Sequence, residues 1–329
     1  MHSLAIIHPY FTRGTGHWPN YIDWFFASCE ANKTIDFYIF TDDYSVSRWE
    51  TVPNINIIYM TFEECQKLIS DKLDGAILSK PYKLCDYKPA YGVIFEEWIK
   101  KYEYWGSCDC DMMFGDIRYF FPDNVLEKYD KFMIFAQIQL SKNTYDVNHY
   151  YELPRPENSK YNSSSCKHRN WEVVKRSEGY CGYDEGSGVP QLCRENGKPI
   201  LWERKFGANI YQEVKGGKKK YKRLMDKNDP VNKLFQAWEW NQKGLYHIDM
   251  FTKKRYPKLF IHFTERKMEP IPYTNQQSIY ITVHSKFKDK VTLWESFTGF
   301  DYIRLMTRKL FIWIGWKFTH FRGKKNWEM

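Results

Sequence analysis

The sequence predicts an α/β fold: a mixed, mostly parallel sheet flanked by helices. Three observations carry this expectation. Short apolar, aromatic and β-branched runs alternate with longer amphipathic stretches through the first 140 residues. Apolar residues make up 43% of the 329, ample for a buried core and incompatible with a disordered chain. No apolar run approaches the roughly 20 residues of a membrane-spanning helix, and the mean hydropathy is −0.64.

The elements follow in order. SLAIIHPYF (3–11) reads as a buried first strand, and YIDWFFASCEA as a helix after the loop RGTGHWPN. IDFYIFTDD (35–43) is a second strand with an acidic end. INIIYMT (55–61) is a third strand and FEECQKLISDKL (62–73) a helix. PAYGVIFEEWIKKY (89–102) reads as one helix with Pro89 in its first turn. YWGSCDCDMMFGDI (104–117) is a short strand running into a turn. FPDNVLEKYDKF is a further helix and FMIFAQIQL (132–140) a further strand. Residues 150–230 are less regular, with Asn/Ser clusters and the basic run VKGGKKKYKR, and read as long loops around a site. GLYHIDMF (244–251) and KLFIHFTER (258–266) return to strand patterning, and the pattern changes again near Pro270. There is no internal repeat.

Composition narrows the function classes. Lys and Arg exceed Asp and Glu by 49 to 40, a formal charge of +9. Nucleic acid, an anionic membrane surface or a phosphate-rich substrate would each answer that excess. No RRM or KH signature appears, so nucleic acid is not expected as a partner. Walker A and G-x-G-x-x-G patterns are absent, which removes support for ATP hydrolysis and dinucleotide chemistry. The eight cysteines form no C-x-x-C pair and read as buried thiols. The start, MHSLAIIHPYF, has neither a basic n-region nor a small-residue cleavage site, so the expected location is the cytoplasm.

Cys108-Asp109-Cys110-Asp111 is the strongest chemical signal. In extended backbone, alternation puts Asp109 and Asp111 on one side and the two cysteines on the other. Adjacent carboxylates repel unless a cation lies between them, and oxygen ligands of this kind suit Mn²⁺ or Mg²⁺. An isolated D-x-D reads equally as a solvated strand end. Here apolar residues flank it on both sides, and enclosed acids need a partner. A metal-dependent phosphoesterase also uses paired aspartates, but it would bring a larger His/Asp cluster than the sequence shows.

The stretch YKLCDYKPAYGVIFEEWIKKYEYWGSCDCDMMFGDI (82–117) resembles the core of bacterial glycosyltransferases that build capsule and O-antigen polysaccharides. The likeness is weaker in the first strand and at IHFTERKM (261–268), and spans about residues 1–270. It departs from the pattern in placing Cys at 108 and 110. That family resembles the wider GT-A fold, a Rossmann-like architecture in which a D-x-D after a helix binds the donor's diphosphate through a divalent metal. The resemblance implies transfer of a hexosyl group from a nucleotide sugar, UDP-linked above all, to a hydroxyl of a glycan or lipid-linked glycan. A nucleotide-sugar half at 1–140 and an acceptor half at 141–270 would then make one catalytic domain.

The resemblance also assigns residues. Lys83, Asp86 and Lys88 would lie against the donor sugar and nucleotide; as a plain sequence they read equally as a charged surface turn. Thr41 and Asp42 would contact base and ribose, where a helix N-cap is the competing reading. His8 and Tyr10 end the strand where the nucleotide would lie. His262 would be a third metal or diphosphate ligand, although a lone His in an apolar strand is usually a core residue. Arg266 and Lys267 would hold the leaving diphosphate. In GYCGYDEGSG, Asp184 and Glu185 are candidate general bases for an inverting transfer, against the plain reading of a polar loop.

Residues 271–329 read as a C-terminal basic, aromatic helical segment. Between Tyr302 and Trp327 it carries seven Lys and Arg and no acid, around the short run LFIWIGW. That mixture predicts a helix lying on an anionic membrane surface. The bland alternative is a helix packed on the catalytic domain.

Overall fold

Strand β1 (Leu4–Tyr10) lies at the centre of the structure, a computed structural model. The residues described are 1–12, 17–134, 136–159, 170–203, 206–209, 213–215, 218–220, 236–249, 253–263, 268–274, 278–282 and 286–291. Leu4 and Ile6 pack to one side of β1 and Ala5 and Ile7 to the other, all essentially inaccessible to solvent. Burial on both faces is why the strand reads as a continuous apolar run.

β1 is followed by helix α1 (Ile22–Ala31), β2 (Asp36–Thr41), β3 (Ile55–Tyr59) and α2 (Phe62–Lys72). β2 pairs with β1 and β3 with β2, both parallel. α2 starts on a capping box: Thr61 accepts from the Glu64 amide and Glu64 reaches back to the Thr61 amide. β4 (Tyr104–Cys108) pairs parallel with the opposite edge of β1. The chain therefore winds outward from β1 in both directions, and the carboxyl ends of β1 and β4 form the crevice where open sheets bind ligands.

The expected helix over 89–102 is interrupted. Residues 84–99 form short helical turns at Leu84–Tyr87, Tyr91–Ile94 and Glu96–Ile99. Pro89 has no amide to continue the ladder, and Phe95 leaves helical geometry at φ −103°. The expected single strand over 132–140 is a hairpin, β6 (Lys131–Ile134) and β7 (Ile138–Lys142). β7 runs antiparallel to β4, and β8 (Ile200–Trp202) pairs parallel with β6. The main sheet has the order β3-β2-β1-β4-β7-β6-β8, with four of its six pairings parallel. The expected mixed, mostly parallel α/β architecture is thus what forms.

Past β4 the chain leaves the main sheet. β5 (Met112–Phe114) joins a second, three-stranded sheet with β9 (Gly207–Asn209) and β15 (Phe260–His262). A ribbon, β10 (Glu213–Lys215) and β11 (Lys218–Lys220), carries part of the basic run. β12 (Gln236–Asn241), β13 (Gly244–Asp249), β14 (Arg255–Lys258), β16 (Ser278–Thr282) and β17 (Phe287–Lys288) make a five-stranded sheet. Beyond residue 270, β16 pairs with β12, and Trp24 of α1 donates to the Ile271 carbonyl at 2.9 Å. No helix among the described residues is long and apolar enough to cross a membrane. The basic tail from Tyr302 lies outside the described residues.

Candidate metal centre and active site

Asp109 and Asp111 occupy the link between β4 and β5, not a strand. The alternation expected of them survives. Cys108 and Cys110 are buried in the core, while Asp109 and Asp111 keep 23% and 20% of their side-chain surface. The link is tied at both ends: the Asp109 amide donates to the Gln137 carbonyl at 3.1 Å, and the Phe263 amide to the Asp111 carbonyl at 2.7 Å.

β15 brings His262 into the same place. It runs antiparallel to β5 with His262 opposite Met112, the neighbour of Asp111. His262 Nε2 then stands 3.0 Å from Asp111 Oδ1. One ligand atom each from Asp109, Asp111 and His262 falls within 4.8 Å of the others. Two carboxylates and one imidazole suit Mn²⁺ or Mg²⁺ and leave positions for phosphate oxygens.

Lys88 faces this cluster from the helical turns before β4. Its Nζ donates to Asp109 Oδ1 at 2.5 Å and the Ala136 carbonyl at 3.2 Å, and lies 3.6 Å from Asp184 Oδ2. Burial disfavours its charge, but Asp109, Cys85 and Asp184 together outweigh burial and hold it well above the ordinary lysine range. Asp184 is itself enclosed. Burial, with the negative charges of Asp109 and Asp86, lifts it to about 7 against the pull of Lys88 and the Tyr180 hydroxyl.

Glu185, next to Asp184, is exposed. The Tyr180 hydroxyl lies 3.0 Å from both Asp184 Oδ1 and Glu185 Oε1, tying the two acids together. The glycines of this loop have a packing reason at Gly188, where a Cβ would meet the Tyr183 carbonyl oxygen at 2.0 Å. Tyr180 was not singled out in the sequence, although its spacing four and five residues before the two acids was there to see.

The other expected residues fall in three groups. Lys83 and Asp86 are wholly enclosed and paired with each other at 2.9 Å. At the end of β1, His8 Nδ1 bonds the Cys108 carbonyl at 2.8 Å, and burial lowers its pKa to about 4, so the ring is neutral. Its Nε2 is enclosed without a partner among the described residues. Tyr10 is half-buried and stacks on Trp18 with centroids 4.1 Å apart, a partner the sequence did not suggest. At the end of β2, Thr41 is buried and accepts from the Asp43 amide, while Asp42 accepts from the Thr12 amide at 2.7 Å. The N-cap read in this stretch belongs to Asp43, which accepts from the Ser45 amide. Arg266 and Lys267 lie outside the described residues.

Residues 6–290 match the family of unknown function DUF6625. No curated protein matches the sequence. Among solved structures, the chain is similar to the galactosyltransferase LgtC in complex with donor and acceptor sugar analogues: TM-score 0.38, 10% identity, covering 79% of this chain and 87% of that one. A glycosyltransferase involved in glycosylation of the major capsid of PBCV-1 gives TM-score 0.36 and 8% identity over 80% of this chain and 93% of that one. Mouse xyloside xylosyltransferase 1 gives TM-score 0.29 and 9% identity over 64% and 88%.

Proposed function

The chain belongs to the DUF6625 family, and we propose that it is a metal-dependent glycosyltransferase of the GT-A type. It would transfer a hexosyl group from a nucleotide sugar, UDP-linked above all, to a hydroxyl of a cell-surface polysaccharide or lipid-linked glycan. One observation carries the reading. Asp109, Asp111 and His262 converge at the carboxyl end of β4, beside the crevice between β1 and β4 and with the Lys88 ammonium next to them.

Asp109, Asp111 and His262 would hold Mn²⁺ or Mg²⁺, which when bound supplies Lewis-acid charge to the donor's diphosphate. Lys88 adds a fixed positive charge beside the leaving group, in a pocket where Asp184 keeps it oriented. The neutral His8 and the Tyr10–Trp18 stack suit a nucleoside at the end of β1. Thr41 and Asp42, at the end of β2, would contact the base and ribose, and Arg266 and Lys267, which follow His262 in sequence, would hold the leaving diphosphate.

Of the two loop acids, Glu185 has the access to take a proton from an acceptor hydroxyl in an inverting transfer. Asp184 has its carboxylate on Lys88. Glu185→Gln should cost on the order of 10²-fold in transfer with nucleotide binding unchanged. A product that keeps the donor's anomeric configuration by NMR would remove Glu185 from this role.

The decisive experiment is a donor-hydrolysis screen of UDP-, GDP- and CMP-sugars with and without Mn²⁺. Metal-dependent release of one nucleotide is expected; no release from any donor rejects the reading. The basic, aromatic tail supports attachment at the inner face of the cytoplasmic membrane. Full-length protein that fails to sediment with anionic liposomes at low salt would reject that attachment.

A further inference from the structure

Lys83 and Asp86 both have 0% side-chain exposure, yet both are charged residues of the motif YKLCDYKP. Enclosed charges persist only when paired and fully hydrogen-bonded. The partners of this pair lie on one distant segment. Asp86 Oδ2 accepts from the Cys181 amide at 2.7 Å, and Oδ1 from the Tyr183 amide at 2.9 Å. Lys83 Nζ donates to Asp86 at 2.9 Å and to the Val174 carbonyl at 2.9 Å. Val174 belongs to the helix Trp171–Arg176, just before the same loop. Tyr183 directly precedes Asp184, which reaches Lys88, and Glu185, which shares the Tyr180 hydroxyl.

We infer that Lys83 and Asp86 are positioning residues, an enclosed charge clamp that sets the 181–185 loop and so places Asp184 and Glu185 against the metal-ligating face. The amides of Cys181 and Tyr183, on either side of Gly182 at φ +70°, both point at one carboxylate, which fixes the backbone between them. Lys83 neutralises that carboxylate and anchors the incoming helix end. The clamp and Lys88 leave the same helical turns, so the distance between the loop acids and Asp109 is set by one short piece of chain. The inference rests on the proposed transferase site, because that site gives the loop acids their task.

The test replaces the clamp without leaving a lone buried charge. The double variant Lys83→Met/Asp86→Leu removes both charges with side chains of similar volume, so no lone charge stays enclosed and only the Cys181 and Tyr183 amides and the Val174 carbonyl lose a partner. It should fold with a wild-type circular dichroism spectrum. Amide hydrogen exchange at Cys181 and Tyr183 should speed up at least tenfold. Transfer kcat should fall roughly 10²-fold, the scale of an ångström's misplacement, with nucleotide affinity and metal requirement within about threefold of wild type. If the double variant does not fold, Lys83→Met/Asp86→Asn also leaves no lone charge, keeps the carboxylate's shape with one acceptor oxygen, and reads the same two amides. Unchanged protection of both amides overturns the clamp, and so does lost protection with full kcat. If the wild type transfers from no donor, the transferase reading fails by itself, and the exchange data alone judge the clamp.

Discussion

The enclosed pair Lys83–Asp86 and the open cluster Lys88–Asp109–Asp111 come from neighbouring parts of one motif. In the sequence they look alike, as lysines and aspartates set among aromatics. In the fold they divide. Every hydrogen bond of the first pair runs to protein, and neither side chain keeps any surface. The second leaves about a fifth of each aspartate's side-chain surface accessible to solvent, with His262 arriving from another sheet. Residue type decides that a charge must be answered; access decides whether protein or ligand answers it. A third enclosed lysine shows the alternative. Lys131 has the Ser141 hydroxyl at 2.7 Å and the Trp105 ring beneath it, with no carboxylate bonded to it among the described residues, and burial pushes it down to about 8.

The sharpest way to break the comparison is Asp111→Asn. Losing a ligand from the open cluster should lower transfer by at least about 10³-fold, several kcal/mol of charge stabilisation. The melting temperature should barely move. Full activity in this variant, or of the wild type in EDTA, would remove the metal site.

Lys83→Met is the converse. It leaves Asp86 enclosed without its counter-ion, and urea unfolding should show a loss of about 3 kcal/mol. A loss below about 1 kcal/mol would mean that the two backbone amides suffice to hold the carboxylate.

His262→Ala should raise the Mn²⁺ requirement roughly tenfold or more, since even the supporting partners of metal ligands are worth that much. Metal titrations on both proteins read this directly. An unchanged requirement with lower thermal stability would make His262 a core residue.

The smallest effect concerns Lys131. Its folded pKa, about 8, lies below the ordinary 10.5. Between those values the unfolded chain binds a proton that the folded chain does not, so the contribution of Lys131 to stability should rise with pH across that window, against the enclosed thiols, whose raised pKa values contribute the opposite slope. Below it both states are protonated and the full cost of the buried charge is present. Lys131→Met should add stability on the order of 1 kcal/mol at pH 7, net of the lost hydroxyl and ring contacts, and this gain over wild type should shrink as pH rises from about 8 to 10.5. A difference between variant and wild type that does not change with pH across that window would remove Lys131 from this role.

Much of the frame was legible locally. β2, β3 and α2 fall within a few residues of the runs that predicted them, because each is decided by short-range patterning and, for α2, by the Thr61–Glu64 cap. The hairpin within 132–140 was not legible, since nothing in FMIFAQIQL is a turn signal. The break at Phe95 was hidden for the same reason. At the link after β4, the outward alternation of Asp109 and Asp111 was legible because side-chain period is set locally. The enclosure of Lys83 and Asp86 was not, because a K-x-x-D spacing is the same on a surface and in a core.

By itself the sequence determined the α/β order, the exposed alternation of Asp109 and Asp111, and the presence of charges that would need partners. These depend on neighbours one to four positions away, through strand period, helix period and capping. Only the tertiary structure decided which partner each charge received. β15 carries His262 to Asp111 by strand pairing, and the 181–185 loop is drawn to Asp86 by two backbone amides. Lys88 is set between Asp109 and Asp184 in the same way. Such contacts join residues far apart in the chain, and they exist only once burial has removed water as the competing partner.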